Sequence, residues 1–130
     1  MADSFFNDRN LWGIDLGGTK VEGVILRSAE HPEVLWRDRL PTGSEKGYDH
    51  IIGQISAVVN MMKSVSGMHP RRIGMATPGI RDPRTGTMKN CNSTALNGRT
   101  LREDLDALLN TRFELANDAN CFALAEARMG

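Results

Sequence analysis

The sequence predicts an α/β fold in which a mixed sheet is flanked by helices. Three observations predict it: two apolar runs joined by a glycine turn near the start, apolar positions at helical spacing in the middle, and alternating short strands and amphipathic helices after that. With 130 residues, 40% of them hydrophobic, the chain can bury one core but not two comfortable ones. We therefore expect a single domain.

The first half of the chain predicts three strands and a helix. The apolar runs Leu11 to Leu16 and Val21 to Leu26 flank Gly17-Gly18-Thr19-Lys20, which is typical of an antiparallel hairpin. A third strand is expected from Val34 to Leu40. A helix follows, for which Gly67 is the predicted C-cap. Its apolar face is formed by Ile51, Ile52, Ile55, Val58, Val59 and Met62.

The second half alternates strands with helices. Arg72 to Ala76 is a predicted strand that ends at Thr77-Pro78-Gly79, and a short strand is expected near Thr87 to Lys89. Phe113 and Leu115 mark another strand, and a third helix is expected from Ala119 onward. The second helix is marked by Leu101, Leu105, Leu108 and Leu109. We interpret residues 1–10 as an N-terminal extension and residues 11–130 as the domain.

Composition excludes several functional classes. Sixteen Lys and Arg balance sixteen Asp and Glu, for a formal net charge of zero. This balance offers no electrostatic footprint for nucleic acid or an anionic membrane. The first ten residues lack the pattern of a secretory signal, and no apolar run approaches the roughly 20 residues that span a bilayer. Cys91 and Cys121 have no metal-binding spacing, so we expect reduced cysteines and a cytoplasmic protein.

The first glycine turn carries candidate phosphate ligands. Gly17 and Gly18 allow a positive φ and close approach to a ligand, so that successive N–H groups can converge on phosphate oxygens. Thr19 adds a hydroxyl and Lys20 a cation. Asp15, in an apolar strand, is a candidate oxygen ligand, direct or through water, for the Mg²⁺ that accompanies ATP. The alternative is that the two glycines only form a hairpin turn.

A second acid lies where a strand meets a helix. Asp118 could cap that helix through its free N–H groups. Alternatively it could accept the proton of a sugar hydroxyl as the oxygen attacks the γ-phosphate of ATP, with Asn117 holding the neighbouring hydroxyls. The polar segments 77–79 and 89–94 also follow predicted strands, and ligands of open α/β sheets gather at the carboxyl ends of strands. Taken singly, these two segments are also ordinary turns.

Four segments in register resemble the N-terminal domain of the ROK family of sugar kinases. They are D-L-G-G-T-K, M-A-T-P-G, D-P-R-T-G-T-M-K-N-C-N-S-T-A-L-N-G-R-T-L and L-A-N-D-A-N-C, and the resemblance runs from about Leu11 to the chain end. It implies the ribonuclease-H-like fold of actin-like ATPases. It also implies that residues 11–130 are the first of two domains, with the second beyond this chain. The further implications are ATP and Mg²⁺ as cofactors, a hexose as the substrate, a homodimer of the intact protein, and a zinc site only in the second domain.

The resemblance assigns roles to individual residues. Asp118 becomes the catalytic base. The phosphate turn consists of Asp15, Gly17, Gly18, Thr19 and Lys20, and the sugar pocket includes Gly79, Asn92 and Asn117 together with Asp118. Ala116 stands where glucokinases tend to have an acid, which favours fructokinase or mannokinase and makes fructose the expected hexose. Related fructokinases tend to carry Trp where Ala95 stands, so this chain departs from their pattern there.

Two other functions fit parts of the pattern. The ROK family also contains sugar-responsive transcriptional regulators, which carry a helix-turn-helix ahead of this domain. The ten residues before Leu11 are too few for that motif. A chaperone or cell-shape ATPase of the actin-like fold would keep the phosphate turn and lack the sugar pocket.

Overall fold

The computed structural model describes residues 5–115. The helices and strands within this range are β1 (Leu11–Leu16), β2 (Lys20–Leu26), β3 (Val34–Pro41), α1 (Tyr48–Ser66), β4 (Arg72–Ala76), β5 (Ile80–Arg81), β6 (Met88–Lys89), α2 (Leu101–Leu109) and β7 (Arg112–Leu115). Two 3-10 helices, Ser44–Lys46 and Thr94–Leu96, lie in the connections. The expected N-terminal extension falls partly, and the third helix wholly, outside the described residues.

Five strands form one mixed sheet in the order β3-β2-β1-β4-β7. The first three strands pair antiparallel, whereas β1 with β4 and β4 with β7 pair parallel. Each parallel connection contains a helix, as parallel pairing requires. β5 and β6 form a separate two-stranded hairpin. The predicted fold class, a mixed sheet flanked by helices, is confirmed.

The core lies where α1 and α2 cover one face of this sheet. Side chains alternate along a strand, so every second residue of β1 points to that face. The residues that fill the core are fully or almost fully buried, among them Ile14, Leu16, Val21, Ile25, Ile51, Ile55, Val58, Met62, Ile73, Met75, Leu101, Leu105 and Phe113. The opposite face carries Asp15, Glu22 and Arg37 near the glycine turn, and farther along β2 it carries a second buried cluster formed by Val24 and Leu26.

The helix ends and the buried helix faces agree with the sequence except at Leu108. Gly67 has φ of 68° and its N–H donates to the carbonyl of Lys63 at 2.8 Å, which confirms the predicted C-cap. Leu108 lies within α2, as predicted, but it does not belong to the buried face of this helix, since its side chain is 57% exposed. The helix is nine residues long, and its buried face is completed by Leu101, Leu105 and Leu109. No helix among residues 5–115 is long and apolar enough to cross a membrane.

Candidate functional site

The glycine turn between β1 and β2 is held from one side by the residues that follow β3. The Thr42 hydroxyl donates to the carbonyl of Gly17 at 2.8 Å, and the Thr42 N–H donates to the carbonyl of Thr19 at 2.9 Å. The Ser44 hydroxyl donates to the carbonyl of Gly18 at 3.0 Å. Three successive carbonyls of the turn are therefore tied back to Thr42 and Ser44.

This anchoring orients the amide groups of the turn. In a trans peptide unit the N–H points away from the carbonyl oxygen to which it is conjugated, and no peptide bond in the described chain is cis. The N–H groups of Gly18 and Thr19 consequently point away from Thr42 and Ser44. Within residues 5–115 neither group makes a hydrogen bond. Two adjacent donors are thus presented on the outer side of the turn, as anion binding requires.

The turn reaches this geometry without the left-handed backbone that its glycines allow. Neither Gly17 nor Gly18 has a positive φ. A Cβ added to Gly18 would meet no atom within 4 Å. Nothing in the described part of the fold therefore requires glycine at position 18, and the space that a side chain would occupy there lies next to the outward N–H groups.

The end of β4 lies beside the end of β1. Asp15 is in register with Ala76, so the segment Thr77-Pro78-Gly79 begins next to the glycine turn. The Thr77 hydroxyl donates to the carbonyl of Gly79 at 2.8 Å. A Cβ on Gly79 would lie 2.5 Å from the carbonyl oxygen of Lys89 and 2.6 Å from the Cys91 sulfur. Glycine is needed here because the end of β6 packs directly against this backbone.

The chain after β6 forms a loop, residues 90–97, that is fixed by the side chain of Asn97. Its Oδ1 accepts from the Cys91 N–H at 2.9 Å, and its Nδ2 donates to the Cys91 carbonyl at 3.2 Å. Burial raises the pKa of the Cys91 thiol, so the neutral form is favoured. Asn92 is exposed on this loop and Ser93 is 9% exposed. Asn92 is therefore exposed on a loop whose backbone is held by the two hydrogen bonds between Cys91 and Asn97.

The exit of loop 90–97 is fixed to the start of α1. The Arg99 guanidinium lies 4.0 Å from the centre of the Tyr48 ring, and the Tyr48 hydroxyl donates to an Asp104 carboxylate oxygen at 2.5 Å. The Thr100 hydroxyl donates to the other oxygen of Asp104 at 3.1 Å. Burial, followed by this bond to Asp104, raises the pKa of the Tyr48 phenol. The phenol remains a donor, and the cluster joins the N-terminal ends of α1 and α2.

Loop 90–97 and the glycine turn are joined by two serines. Ser44 Oγ, which donates to Gly18, lies 3.4 Å from Ser93 Oγ. Because Ser44 has only one hydroxyl proton, Ser93 is the donor in this contact. Ser44 thus contacts both the glycine turn and Ser93. Cys91, two residues before Ser93, packs against Gly79, which follows β4 beside the end of β1.

The structure thus brings together all the predicted site residues that it describes. Asp15 and the turn Gly17–Lys20 lie at the carboxyl end of β1, Gly79 follows β4, and Asn92 directly precedes Ser93, which contacts Ser44 beside the turn. β7 ends at Leu115, at the same edge of the sheet. Asn117 and Asp118, the predicted sugar ligand and base, lie outside the described residues.

Asp15 is the predicted metal ligand, and its cross-strand neighbour is a second carboxylate. Asp15 is in register with Glu22 on β2, and Glu22 Oε2 lies 3.5 Å from the Arg37 guanidinium on β3. No group of three or more His, Cys, Asp or Glu side chains that could hold a metal is found in the part of the chain that the structure describes. A carboxylate at the end of β1 fits the oxygen preference of Mg²⁺, whose remaining ligands would be water and phosphate.

A pocket lies at the opposite edge of the sheet, near the amino ends of the parallel strands. Its lining includes Asn7, Trp12, His69, Arg71 and Glu114. None of the predicted site residues lines it. It is therefore separate from the arrangement at the carboxyl edge.

The residues that orient the site were not predicted from the sequence. Thr42 and Ser44 were interpreted only as part of the connection between a strand and a helix. Their contacts with the turn span 25 and 26 residues, and the contact between the two serines spans 49. The spacing of residue types along the chain cannot indicate contacts between residues so far apart in sequence. Asn97 lies within a segment that the resemblance had marked, although its role in holding Cys91 was not foreseen.

Comparison with known proteins identifies relatives along almost the whole chain. Residues 11–130 match the model of the ROK family. The N-acetyl-D-glucosamine kinase of Vibrio atlanticus (strain LGP32) is 37% identical over 116 residues, which cover 89% of this chain and 37% of that kinase. The chain thus spans about a third of the length of the curated relatives it matches.

Solved structures agree with this match. A ROK hexokinase from Thermus thermophilus has 27% identity and a TM-score of 0.68 over 92% of this chain and 38% of its own. An inorganic polyphosphate/ATP-glucomannokinase from Arthrobacter sp. strain KM has 29% identity and a TM-score of 0.71, over 93% of this chain and 49% of its own. The family match and the shared architecture lead to one conclusion: this chain belongs to the ROK family.

Proposed function

We propose that this chain forms the phosphate-binding and sugar-binding half of an ATP-dependent hexose kinase. The observation that carries the proposal is the pair of outward N–H groups of Gly18 and Thr19, fixed by the bonds of their conjugated carbonyls to Thr42 and Ser44. These donors lie at the carboxyl edge of the sheet, where ligands of α/β folds bind. The exposed Asn92 lies on the neighbouring loop.

The turn acts by orientation and charge neutralisation. Two fixed N–H donors bind phosphate oxygens without having to reorganise during the reaction, which is the main source of electrostatic stabilisation in phosphoryl transfer. The glycine at position 18 leaves room for the phosphate to approach them. Lys20 is exposed at the start of β2 and adds positive charge to the same turn.

Asp15 is the proposed residue through which the nucleotide's metal ion contacts the chain. Mg²⁺ supplies charge neutralisation of the phosphates when bound. The carboxylate of Asp15 would hold it directly or through water. Glu22, its cross-strand neighbour, forms an ion pair with Arg37.

Asp118 is the proposed general base. It follows Leu115 by three residues, and Leu115 ends β7 at the edge of the sheet that carries the glycine turn. The carboxylate accepts the proton of the sugar hydroxyl while the hydroxyl oxygen forms a bond to the γ-phosphorus. The bond from that phosphorus to the bridging oxygen breaks, and ADP leaves. Asn92, Asn117 and the backbone at Gly79 would hold the other hydroxyls.

Two sugars are the first acceptors to test. The sequence pattern around Asn92 and Asp118 favours fructose. Relatives with 33% to 37% identity are N-acetyl-D-glucosamine kinases, which favours an N-acetylhexosamine. Loop 90–97 carries Ala95 where the fructokinase pattern has a large side chain, and a smaller residue leaves more room beside the sugar. We therefore propose hexoses as the substrate class and both sugars as candidates.

A coupled assay of ADP release tests the proposal. The full-length protein that contains this chain is incubated with ATP, Mg²⁺ and, separately, fructose, mannose, glucose or N-acetylglucosamine. We expect sugar-dependent ADP release with at least one of them. If none of the four sugars raises ADP release above the sugar-free rate, the protein is not a kinase of this substrate class.

A further inference from the structure

We propose that Ser44 is a positioning residue that couples sugar binding to phosphate binding through a hydrogen-bond relay. The relay runs from the Ser93 hydroxyl to the Ser44 hydroxyl, then to the Gly18 carbonyl, and through that peptide unit to the Thr19 N–H. This inference rests on the proposed kinase function and assigns a role to a residue that lies in neither binding element.

The first step of the relay follows from proton counting. Ser44 Oγ is 3.0 Å from the Gly18 carbonyl oxygen, and a carbonyl can only accept. The single Ser44 proton is therefore directed at Gly18. Ser93 must donate its own proton to Ser44, 3.4 Å away. All the donors in the relay thus point the same way, from loop 90–97 toward the glycine turn.

The second step is the conjugation of the peptide unit. The Gly18 carbonyl and the Thr19 N–H belong to one planar resonant group. A hydrogen bond to the carbonyl polarises this group and makes its N–H a stronger donor, as in other hydrogen-bonded chains. The Thr19 N–H is one of the two donors proposed for phosphate. Strengthening the bond at Ser44 therefore strengthens the bond to phosphate.

The third step concerns the distance between the two serines. Hydroxyl pairs in proteins usually lie about 2.5–3.0 Å apart, and the Ser44–Ser93 contact of 3.4 Å is longer. Moving loop 90–97 by about half an ångström toward the turn would bring the pair into that range. A sugar held by Asn92, the neighbour of Ser93, would pull the loop in this direction, so sugar binding would complete the relay.

The backbone around Ser44 suits a residue that must be held in one place. Ser44 begins a 3-10 helix of three residues that is flanked by Gly43, with φ of 62°, and Gly47, with φ of 100°. A Cβ on Gly43 would lie 2.6 Å from the His50 ring. The helix Ser44–Lys46 is therefore fixed between two left-handed residues and packs against α1. Thr42, 1% exposed, holds the carbonyls of Gly17 and Thr19, which flank the one held by Ser44.

Binding measurements on the full-length protein test the relay. The dissociation constant of AMPPNP, a non-hydrolysable ATP analogue, is measured by calorimetry with and without a saturating amount of the accepted hexose. The ratio of the two constants is the coupling factor. We expect a factor above one in the wild type. Ser44→Ala should reduce it by about two- to tenfold, the equivalent of one hydrogen bond, and should also weaken the binding of AMPPNP alone, because the Gly18 carbonyl loses its hydrogen bond in both states.

Three variants separate the relay from a general loss of structure. Ser44→Thr keeps the hydroxyl and should keep most of the coupling. Ser93→Ala removes the first donor and should lower the coupling factor as much as Ser44→Ala, with no further loss in the double variant, because both act in one chain. Ser64→Ala, an exposed serine in α1, is the matched control and should leave the factor unchanged.

The outcomes distinguish the relay from the kinase function itself. A wild-type coupling factor of one, or a Ser44→Ala variant with the wild-type factor, would overturn the relay in a protein that still phosphorylates sugar. Coupling losses that add up in the Ser44→Ala, Ser93→Ala double variant would also overturn it. A wild-type protein that phosphorylates none of the tested hexoses would overturn the proposed function and the relay together.

Discussion

At the scale of single residues, glycine serves different purposes at three positions. At position 79 a Cβ would be 2.5 Å from a carbonyl oxygen, so the fold itself requires glycine. At positions 18 and 53 a Cβ would meet no atom within 4 Å. Gly53 lies on the exposed side of α1 and belongs to none of the segments that form the site. Gly18 instead lies beside the outward N–H groups of the turn, where a ligand would explain the missing side chain.

Substituting Gly18 tests this explanation. We expect Gly18→Ala to change the free energy of unfolding by less than about 0.5 kcal/mol, as for other open surface sites. The methyl group should raise KM for ATP roughly ten- to a hundredfold, because it weakens one charge-assisted hydrogen bond to phosphate. Steady-state kinetics and urea unfolding of the full-length protein measure the two effects separately.

Two further glycine variants serve as controls. Gly53→Ala should stabilise the protein by about 0.5–1 kcal/mol, since alanine is the better helix former, and should leave KM for ATP unchanged. Gly79→Ala should destabilise it by about 1–3 kcal/mol through overpacking against Lys89. An unchanged KM for ATP in Gly18→Ala would show that phosphate does not approach this position.

Asp118 is the residue on which the proposed chemistry depends. In the full-length protein, Asp118→Asn should lower kcat by about 10²- to 10⁴-fold, the usual contribution of a general base. The near-ultraviolet circular dichroism spectrum should stay unchanged, because asparagine has nearly the same volume and can also cap a helix. A kcat within a factor of two of the wild type would remove Asp118 from the mechanism.

At the scale of the elements, α2 is fastened to the rest of the domain at its first turn. Glu103 in α2 forms an ion pair with Arg81 in β5. The hydrogen bond from Arg81 is the main cause that lowers the pKa of the Glu103 carboxyl. Arg81 Nε is buried and lacks a hydrogen-bond partner in the described chain. The Glu103 carboxylate therefore neutralises the charge of the Arg81 guanidinium, which is partly shielded from water.

This ion pair predicts a pH dependence of stability. Because the folded-state pKa of Glu103 lies below its ordinary value of 4.5, the stabilisation is complete above about pH 4.5 and is lost as the pH falls through the lower folded-state pKa. At pH 7, Glu103→Gln should lower the free energy of unfolding by roughly 0.2–1 kcal/mol, as for other partly exposed pairs. At pH 3 the difference from the wild type should be smaller.

Urea unfolding at the two pH values measures this effect. Glu30→Gln is the matched control, because Glu30 is exposed and forms no ion pair within the described residues. It should change stability little at either pH. Equal destabilisation by Glu103→Gln at pH 7 and pH 3 would contradict an electrostatic origin.

The elements themselves were largely predictable from the sequence. The bounds of β1 and β4 agree with the prediction residue for residue, because their apolar runs end at glycine or proline turns. β5 was missed because two residues carry no periodicity. Leu108 was grouped with the apolar residues of α2, but the buried face of this nine-residue helix is completed by the other three leucines. The orientation of the glycine turn could not be predicted, since it depends on Thr42 and Ser44, which are distant in sequence.

At the scale of the whole molecule, the described domain buries most of its apolar side chains under two helices on one face of the sheet, and Val24 and Leu26 form a second buried cluster on the other face. Its candidate site lies along one edge of that sheet and, within residues 5–115, draws on residues from four connections. The curated relatives are almost three times as long as the matched segment. We therefore propose that the complete active site also needs residues outside this chain.

Purifying the 130-residue chain by itself tests this proposal. We expect no sugar-dependent ADP release, because ATP would be held only at its phosphate end. The full-length protein, assayed in parallel, is the positive control, and far-ultraviolet circular dichroism establishes that the short chain is folded. Turnover by the short chain alone would show that no second domain is needed.

The short connection between β3 and α1 also limits how this protein can be engineered. Glu45 and Lys46 are exposed there and would invite the attachment of a fluorophore or the insertion of a peptide tag. Yet the neighbouring Thr42 and Ser44 hold three carbonyls of the glycine turn, so a reporter spliced into this connection would disturb nucleotide recognition while leaving the core intact. The exposed position of Gly53 is a safer place for a label.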